Sequence, residues 1–259
     1  MIRVIAGFSA RRCAALRAAA GAILALGAAV SAAGQPLRIA AASDLQAALP
    51  SLASEFERST GQRVALTFGS SGNFFTQLQN GAPFDVFLSA DIDYPRQLER
   101  DGTAETGSLY NYASGRIVLW TRADSPLDLK RGLAALADPS VRRIAIANPD
   151  HAPYGRAAVA ALHHEGIYDR VLPKLVRGEN IAQAAQFVQS GNADAGIVAL
   201  SLAMAPGLAA TGRYVDIPES FYPRIEQAAV VIAASKQKDA ARQFLEFLKR
   251  PESVRTLRS

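Results

Sequence analysis

Cysteine is nearly missing from this 259-residue chain, and the single one, Cys13, lies close to the N-terminus. Beyond it, disulfides and thiol chemistry are excluded. Histidine is scarce too: only His151, His163 and His164 occur. No grouping of His, Cys, Asp or Glu shows metal-ligand spacing, so no metal centre is expected. Repeats and low-complexity segments are absent. The one long uncharged apolar run, Ala18 to Val30, is shorter than the ~20 residues a membrane span needs. Arg3, Arg11, Arg12 and Arg17 precede that run and Ser31-Ala32-Ala33 follows it, the layout of a secretory signal over residues 1–33. Cys13 stands before the run, the wrong place for a lipid at a cleavage site. Arg11-Arg12 has poor flanks for twin-arginine export, so ordinary secretion is expected, and the destination is the periplasm. The formal net charge of +5 owes four arginines to this leader: cleavage leaves 28 − 4 = 24 basic against 23 acidic residues, close to +1. Nucleic acid is therefore not an expected partner.

What is present is a globular composition, 49% hydrophobic and 20% charged, long enough for one large or two medium domains. Leu37 to Ala42 reads as an apolar strand ending at Ser43-Asp44. Leu45, Ala48, Leu49, Leu52, Ala53 and Phe56 then recur at helical spacing, with Pro50 expected to kink or divide the helix. Arg63 to Phe68 predicts a strand, Phe74 to Gln79 a helix, Phe84 to Ser89 a strand and Ile92 to Arg100 a helix. Such alternation argues for an α/β fold with a largely parallel sheet. Ile117 to Trp120 is a strand at which the chain is expected to cross into a second lobe. That lobe carries a helix at Leu129 to Ala137, a strand at Ile144 to Ala147 and a helix at Arg156 to His164. Asn180 caps a further helix, Ile181 to Gln189, and the strand Ala195 to Leu200 follows. Gln227 to Ala234 predicts a returning strand and Asp239 to Lys249 a closing helix. The expected lobes are residues 37–114 with 224–259, and 115–223.

Ser70 and Ser71, flanked by Gly69 and Gly72, sit where a strand hands over to a helix. A helix start offers unpaired N–H groups and partial positive charge, which suits an anion without any cationic side chain. Taken alone, the stretch is open to three readings. It fits an ordinary βα turn with a serine cap, an oxyanion site, or a nucleophilic serine, since Gly69 to Asn73 misses the G-x-S-x-G pattern only at Asn73. Ligands of open α/β sheets gather at the carboxyl ends of strands, where Ser43 and Ser71 both lie. The loop Asn148 to Gly155 and the Asn180 cap form two more junctions of this kind.

Ala41-Ala42-Ser43, Phe68 to Gly72, Gly81 to Asp91, Asn148 to Gly155 and Gly196-Ile197-Val198, in this order and spacing, resemble the periplasmic molybdate-binding proteins of bacterial ABC importers. These are type II periplasmic binding proteins: two α/β lobes with mixed sheets and flanking helices, and the oxyanion in the cleft between. The resemblance implies a non-enzymatic receptor without a cofactor. Its ligand would be molybdate or tungstate, its partner a membrane permease, and it would work as a monomer. It implies that Ser43 and Ser71 hold the anion from lobe one, and Tyr154 and Ile181 through backbone N–H groups from lobe two. Ser70 is then a turn residue. Relatives with a tyrosine after the Gly-Ile-Val strand are met here by Ala199, and the Tyr154 hydroxyl is the expected substitute. Asp44 is a second departure. It either points away and supports its helix start, or accepts a proton from a ligand such as hydrogen phosphate, which keeps another tetrahedral oxyanion, phosphate or sulfate, as an alternative.

A secreted serine hydrolase using Ser71 is the alternative of another class, with His151 as its only candidate base; the resemblance makes His151 a loop-shaping residue. A ferric site would use paired tyrosines such as Tyr110 and Tyr112, here read as packing on a crossing strand. Trp120, Phe74, Phe75 and Phe87 read as core, and Asp85, Asp91 and Asp93 as turn and cap residues.

Overall fold

A computed structural model describes residues 35–258. The expected signal at residues 1–33, with Cys13, lies outside them. In chain order the elements are β1 (Leu37–Ala42), α1 (Leu49–Thr60), β2 (Val64–Gly69), α2 (Ser71–Gln79), β3 (Val86–Ser89), α3 (Asp93–Arg100), β4 (Tyr110–Gly115) and β5 (Ile117–Arg122). They continue as β6 (Ile144–Ala147), α4 (Pro153–His164), α5 (Tyr168–Val171), β7 (Leu175–Gly178), α6 (Ile181–Gln189) and β8 (Ala195–Ala199). Last come α7 (Leu200–Met204), α8 (Pro206–Ala209), β9 (Gly212–Asp216), β10 (Ile225–Val231), α9 (Lys238–Leu248) and α10 (Pro251–Arg258).

The strands form two five-stranded sheets, one per lobe, ordered β2-β1-β3-β10-β4 and β7-β6-β8-β5-β9. β1 runs parallel to β2 and β3, whereas β10 lies antiparallel to β3 and β4. In the second sheet β6 is parallel to β7 and β8, and β5 is antiparallel to β8 and β9. The central strands β1, β3, β6 and β8 are apolar along most of their length because helices cover both faces of each sheet. Only Arg116 separates β4 from β5, while the return from β9 to β10 takes residues 217–224. Gly115 still pairs with Ile225 in the first sheet.

Pro50 divides its helix rather than kinking it. Ser43–Gln46 forms a separate 3-10 turn, and α1 starts afresh with Pro50 in its first turn, where a missing N–H costs nothing. Leu49, Leu52, Ala53 and Phe56 form its buried stripe, and Phe56 meets Phe244 and Phe247 edge-on at 5.1 and 5.6 Å. Some segments differ from the sequence expectation. Helix α2 starts at Ser71 rather than Phe74. Leu129–Ala137 is 3-10 helix broken at Gly132, whose φ of 56° interrupts it. Helix α4 begins at Pro153 rather than Arg156, since proline favours the first helical position; this places Tyr154 in the first turn.

Trp120 is fully buried in the second lobe and packs against the start of β9. A methyl group on Gly212 would stand 2.1 Å from the indole. Gly212→Ala is therefore expected to cost about 1–3 kcal/mol through overpacking. The readout is a lower urea midpoint at unchanged slope, and an unchanged midpoint would show that the indole is free to move.

Candidate functional site

Parallel registry brings the chemistry together. Ala42 pairs with Gly69, so Ser43 and Ser70 emerge side by side at the carboxyl ends of β1 and β2. Ala147 pairs with Gly178 in the other lobe, which sets the starts of α4 and α6 next to each other. Between these two edges lies a small pocket of about 10 Å³, whose lining includes Ser43, Asp44, Ser70, Ser71, Tyr154 and Ile181. No lysine, arginine or histidine lines it. Of the residues named from the sequence, Ser43, Ser71, Tyr154 and Ile181 thus meet at one place, all of them buried.

Their polar groups are oriented by what surrounds them. Ser71 Oγ accepts from the Ala90 N–H at 2.9 Å, and Ser43 Oγ from the Ala182 N–H of the opposite lobe at 3.4 Å. A hydroxyl that is already accepting keeps its one proton for another acceptor. The helix starts are filled in the same selective way. In α6, Ala182 donates to Ser43, Gln183 to the Asn180 side chain and Ala184 to the Asn180 carbonyl. In α4, Pro153 has no N–H, and Gly155 and Arg156 both donate to the Ala152 carbonyl. Among the first-turn donors of these two helices, the N–H groups of Ile181 and Tyr154 are those left without an acceptor among the described residues. Two hydroxyl protons and two main-chain N–H groups, half from each lobe, converge on a pocket without a cationic side chain.

The Tyr154 hydroxyl does something other than the sequence suggested. It donates to Asp44 Oδ2 at 3.0 Å and accepts from Gln227 Nε2 at 2.7 Å, while Gln227 Nε2 also reaches Asp44 Oδ2 at 2.7 Å. It is therefore not the free substitute expected for the tyrosine missing at Ala199. Ala199 ends β8 opposite Ile117, packed in the lobe-two core, and does not line the pocket. Asp44 neither faces solvent nor caps a long helix: it is 3% exposed between the lobes, and the Ser201 hydroxyl donates to its main-chain oxygen. Burial raises the Asp44 carboxyl above the ordinary carboxylate range, against the opposing pull of the Gln227 and Tyr154 hydrogen bonds. Burial, then the Asp44 charge, pushes the Tyr154 phenol well above its usual value.

Further contacts bridge the lobes around the pocket. The Ser70 hydroxyl donates to the His151 carbonyl at 2.6 Å and lies 2.9 Å from His151 Nδ1, and the Gly72 N–H donates to the same carbonyl at 2.9 Å. Arg156 pairs with Asp91 and donates to the Tyr94 hydroxyl, and Asn73 reaches Glu179. Ser70 spends its proton on a carbonyl, so the imidazole can only donate to it, the reverse of general-base activation. Ser71, the serine named for hydrolysis, bonds to Ala90 and not to His151. Asp91 does act as a cap, accepting from the Asp93 N–H, in addition to its ion pair. Asp85 is buried and accepts from the Arg38 N–H and the Ser235 hydroxyl, while Asp93 pairs with Arg96 at the surface. Tyr112 is core, donating to the Ser89 carbonyl, and among the described residues no three His, Cys, Asp or Glu gather as metal ligands. Gln227 and Arg156 carry no sequence signal as cleft-forming residues; their partners lie 62 to 183 residues away.

A family profile described as bacterial extracellular solute-binding protein matches residues 37–259. The molybdate-binding protein ModA of Azotobacter vinelandii is 39% identical over 240 residues, which span 92% of this chain and 94% of the relative. ModA of Rhodobacter capsulatus is 37% identical over 94% of both chains. The solved periplasmic molybdate-binding protein of Azotobacter vinelandii superposes with a TM-score of 0.78 at 36% identity, over 86% of this chain and 96% of that one. With two lobes, a pocket between them and this degree of likeness, the chain belongs to the bacterial extracellular solute-binding protein family, as a ModA-type periplasmic binding protein.

Proposed function

We propose that this protein captures molybdate outside the cytoplasm and delivers it to an ABC import permease, with tungstate competing for the same pocket. The observation that carries the reading is the pocket itself. Ser43 and Ser71 hydroxyls and Tyr154 and Ile181 N–H groups converge there, with no cationic side chain in the lining. A dianion held by neutral donors keeps its charge, and each bond to a charged oxygen is worth roughly 1.5–3 kcal/mol net. Four such bonds, less the cost of ordering the lobes, reach micromolar affinity or better, about −8 kcal/mol. The donors are divided between lobes 37–114 with 224–259 and 115–223, so opening the cleft dismantles the cage and frees the anion. The ModA relatives are molybdate-binding proteins, which favours a receptor over a hydrolase. The solved Azotobacter vinelandii relative is a periplasmic protein, which favours the periplasm as the destination; export by the 1–33 leader and action as a monomer complete this reading.

Calorimetric titration with molybdate, tungstate, sulfate and phosphate tests this. Molybdate and tungstate are expected to bind with similar affinity and to displace each other, because their radii nearly match. Sulfate is too small to span the donors and phosphate carries a proton, so both are expected to bind far more weakly. Sulfate binding as strong as molybdate binding would overturn the assignment.

A further inference from the structure

Asp44 is the one charged residue in the lining of the small pocket. Its two oxygens are in different situations. Oδ2 receives both the Tyr154 hydroxyl and the Gln227 amide, whereas Oδ1 is buried and has no hydrogen-bond partner among the described residues. Among those residues no cation pairs with Asp44. A carboxylate so placed leaves a buried, negatively charged acceptor unanswered, and does so beside the seat of a dianion. A carboxylic acid with its proton on Oδ1 removes both difficulties. Oδ2 becomes the carbonyl oxygen, which suits two donors, and Oδ1–H becomes a donor whose natural acceptor is an oxygen of the bound anion.

We propose that Asp44 closes on the anion as a carboxylic acid and donates from Oδ1, so that one proton enters the cleft with each molybdate. This rests on the molybdate reading and adds a linked proton to it. In the balanced step, the Asp44 carboxylate, one proton from water and one dianion give a neutral carboxyl group hydrogen-bonded to the dianion. No bond within the anion breaks, and the proton returns to solvent when the lobes part.

The surroundings isolate Asp44 as the titrating group. Tyr154 from α4 and Tyr112 from β4 are the phenols that face it, and burial together with the Asp44 charge pushes both well above the usual phenol value. Helices α6 and α7 and strand β2, packed on the same turn, bring no titratable side chain. Arg116, Arg224 and Glu226 line a larger cavity of about 480 Å³ to which Asp44 also contributes. His151 and Glu179 lie at the cleft edge, with His151 Nε2 3.7 Å from Glu179 Oε1. Burial raises the Asp44 carboxyl in the closed protein from the ordinary value of 3.8, which is the value expected once the cleft opens to water. A group whose value rises on closure favours closure at low pH. Affinity is therefore fully present below the open-state value and falls as pH rises toward the closed-state value, tenfold per unit between the two.

The test is calorimetry with molybdate in pairs of buffers of differing ionisation enthalpy, from about pH 6 to 9, where ordinary carboxylates stay ionised. Wild-type protein is expected to take up a proton from the buffer with the anion, approaching one per molybdate over part of that range, and to bind more weakly as pH rises. Asp44→Asn keeps His151, Glu179 and the pocket's donors; it is expected to bind molybdate with no proton uptake and a flat pH profile. Wild-type binding with no proton uptake anywhere in the range overturns the proposal while leaving the receptor reading intact, and needs no variant to fold. Uptake of equal size in Asp44→Asn overturns it too, since a group other than Asp44 would then be the source. Absence of molybdate binding in wild-type protein removes the receptor reading, and the proposal falls with it.

Discussion

Replacing Ser43 and Ser71 together by alanine is expected to weaken molybdate binding by about 10²- to 10⁴-fold, because two bonds to a charged oxygen, each roughly 1.5–3 kcal/mol, are lost. The single variants should divide that loss and differ in a second respect. Ser71 Oγ also satisfies the buried Ala90 N–H at 2.9 Å. Ser71→Ala leaves that donor unpaired, which costs the fold a further 1–3 kcal/mol or so. Ser43 Oγ meets the Ala182 N–H at 3.4 Å, a long bond across the lobes, so Ser43→Ala should leave the stability of lobe one nearly untouched. Calorimetry gives the affinities and urea unfolding without ligand gives the stabilities. Full affinity in the double variant would place the anion elsewhere in the cleft.

Gly72→Ala is expected to separate folding from binding. A methyl group at position 72 would stand 2.6 Å from the His151 carbonyl oxygen and 2.9 Å from the Tyr94 hydroxyl. The first of these is main chain of the opposite lobe and cannot swing aside. The His151 clash exists only when the lobes meet, and the Tyr94 hydroxyl, in the same lobe as Gly72, is the far end of a side chain that can give way; with the cleft open, alanine in the first turn of α2 is a better helix former than glycine by up to about 1 kcal/mol. Thermal stability without ligand should therefore hold or rise slightly. Affinity should fall by about 5- to 150-fold, the equivalent of 1–3 kcal/mol of overpacking. A variant that binds as tightly as wild type would mean that the Gly72–His151 contact is not part of the ligand-holding arrangement.

The features legible in the sequence were those written locally. Strand–loop–helix junctions show themselves through a short apolar run, a small polar residue and a helical stripe, and the junctions at Ser43, Ser71 and Asn180 are legible that way, whereas Tyr154 and Ile181 enter only through the family resemblance. Asn180 was read as a cap because its side chain bonds three residues ahead, and it does so at 3.0 Å. Pro153 marks the true start of α4, but the sequence reading places it in the loop Asn148 to Gly155, which shifts the helix by one turn. The role of the Tyr154 side chain was beyond reach for a different reason. Its hydroxyl, Asp44 and Gln227 come from three distant parts of the chain, and their meeting depends on how the lobes close. A carboxylate after a strand looks like a helix-start residue from sequence alone. Only the burial of Asp44 reveals that its charge has nowhere to go.

Arg116, the lone residue between β4 and β5, also limits what a membrane partner can sense. One residue offers a single pair of soft torsions, so the sheets cannot slide or drift apart at that strand and can only turn about it. The longer return through residues 217–224 follows without adding a second constraint of the same strictness. In the proposed transport cycle, empty and loaded receptors then differ chiefly in the angle between the two lobes. A permease touching both lobes at their outer faces reads that angle, and so distinguishes full from empty without ever contacting the buried anion.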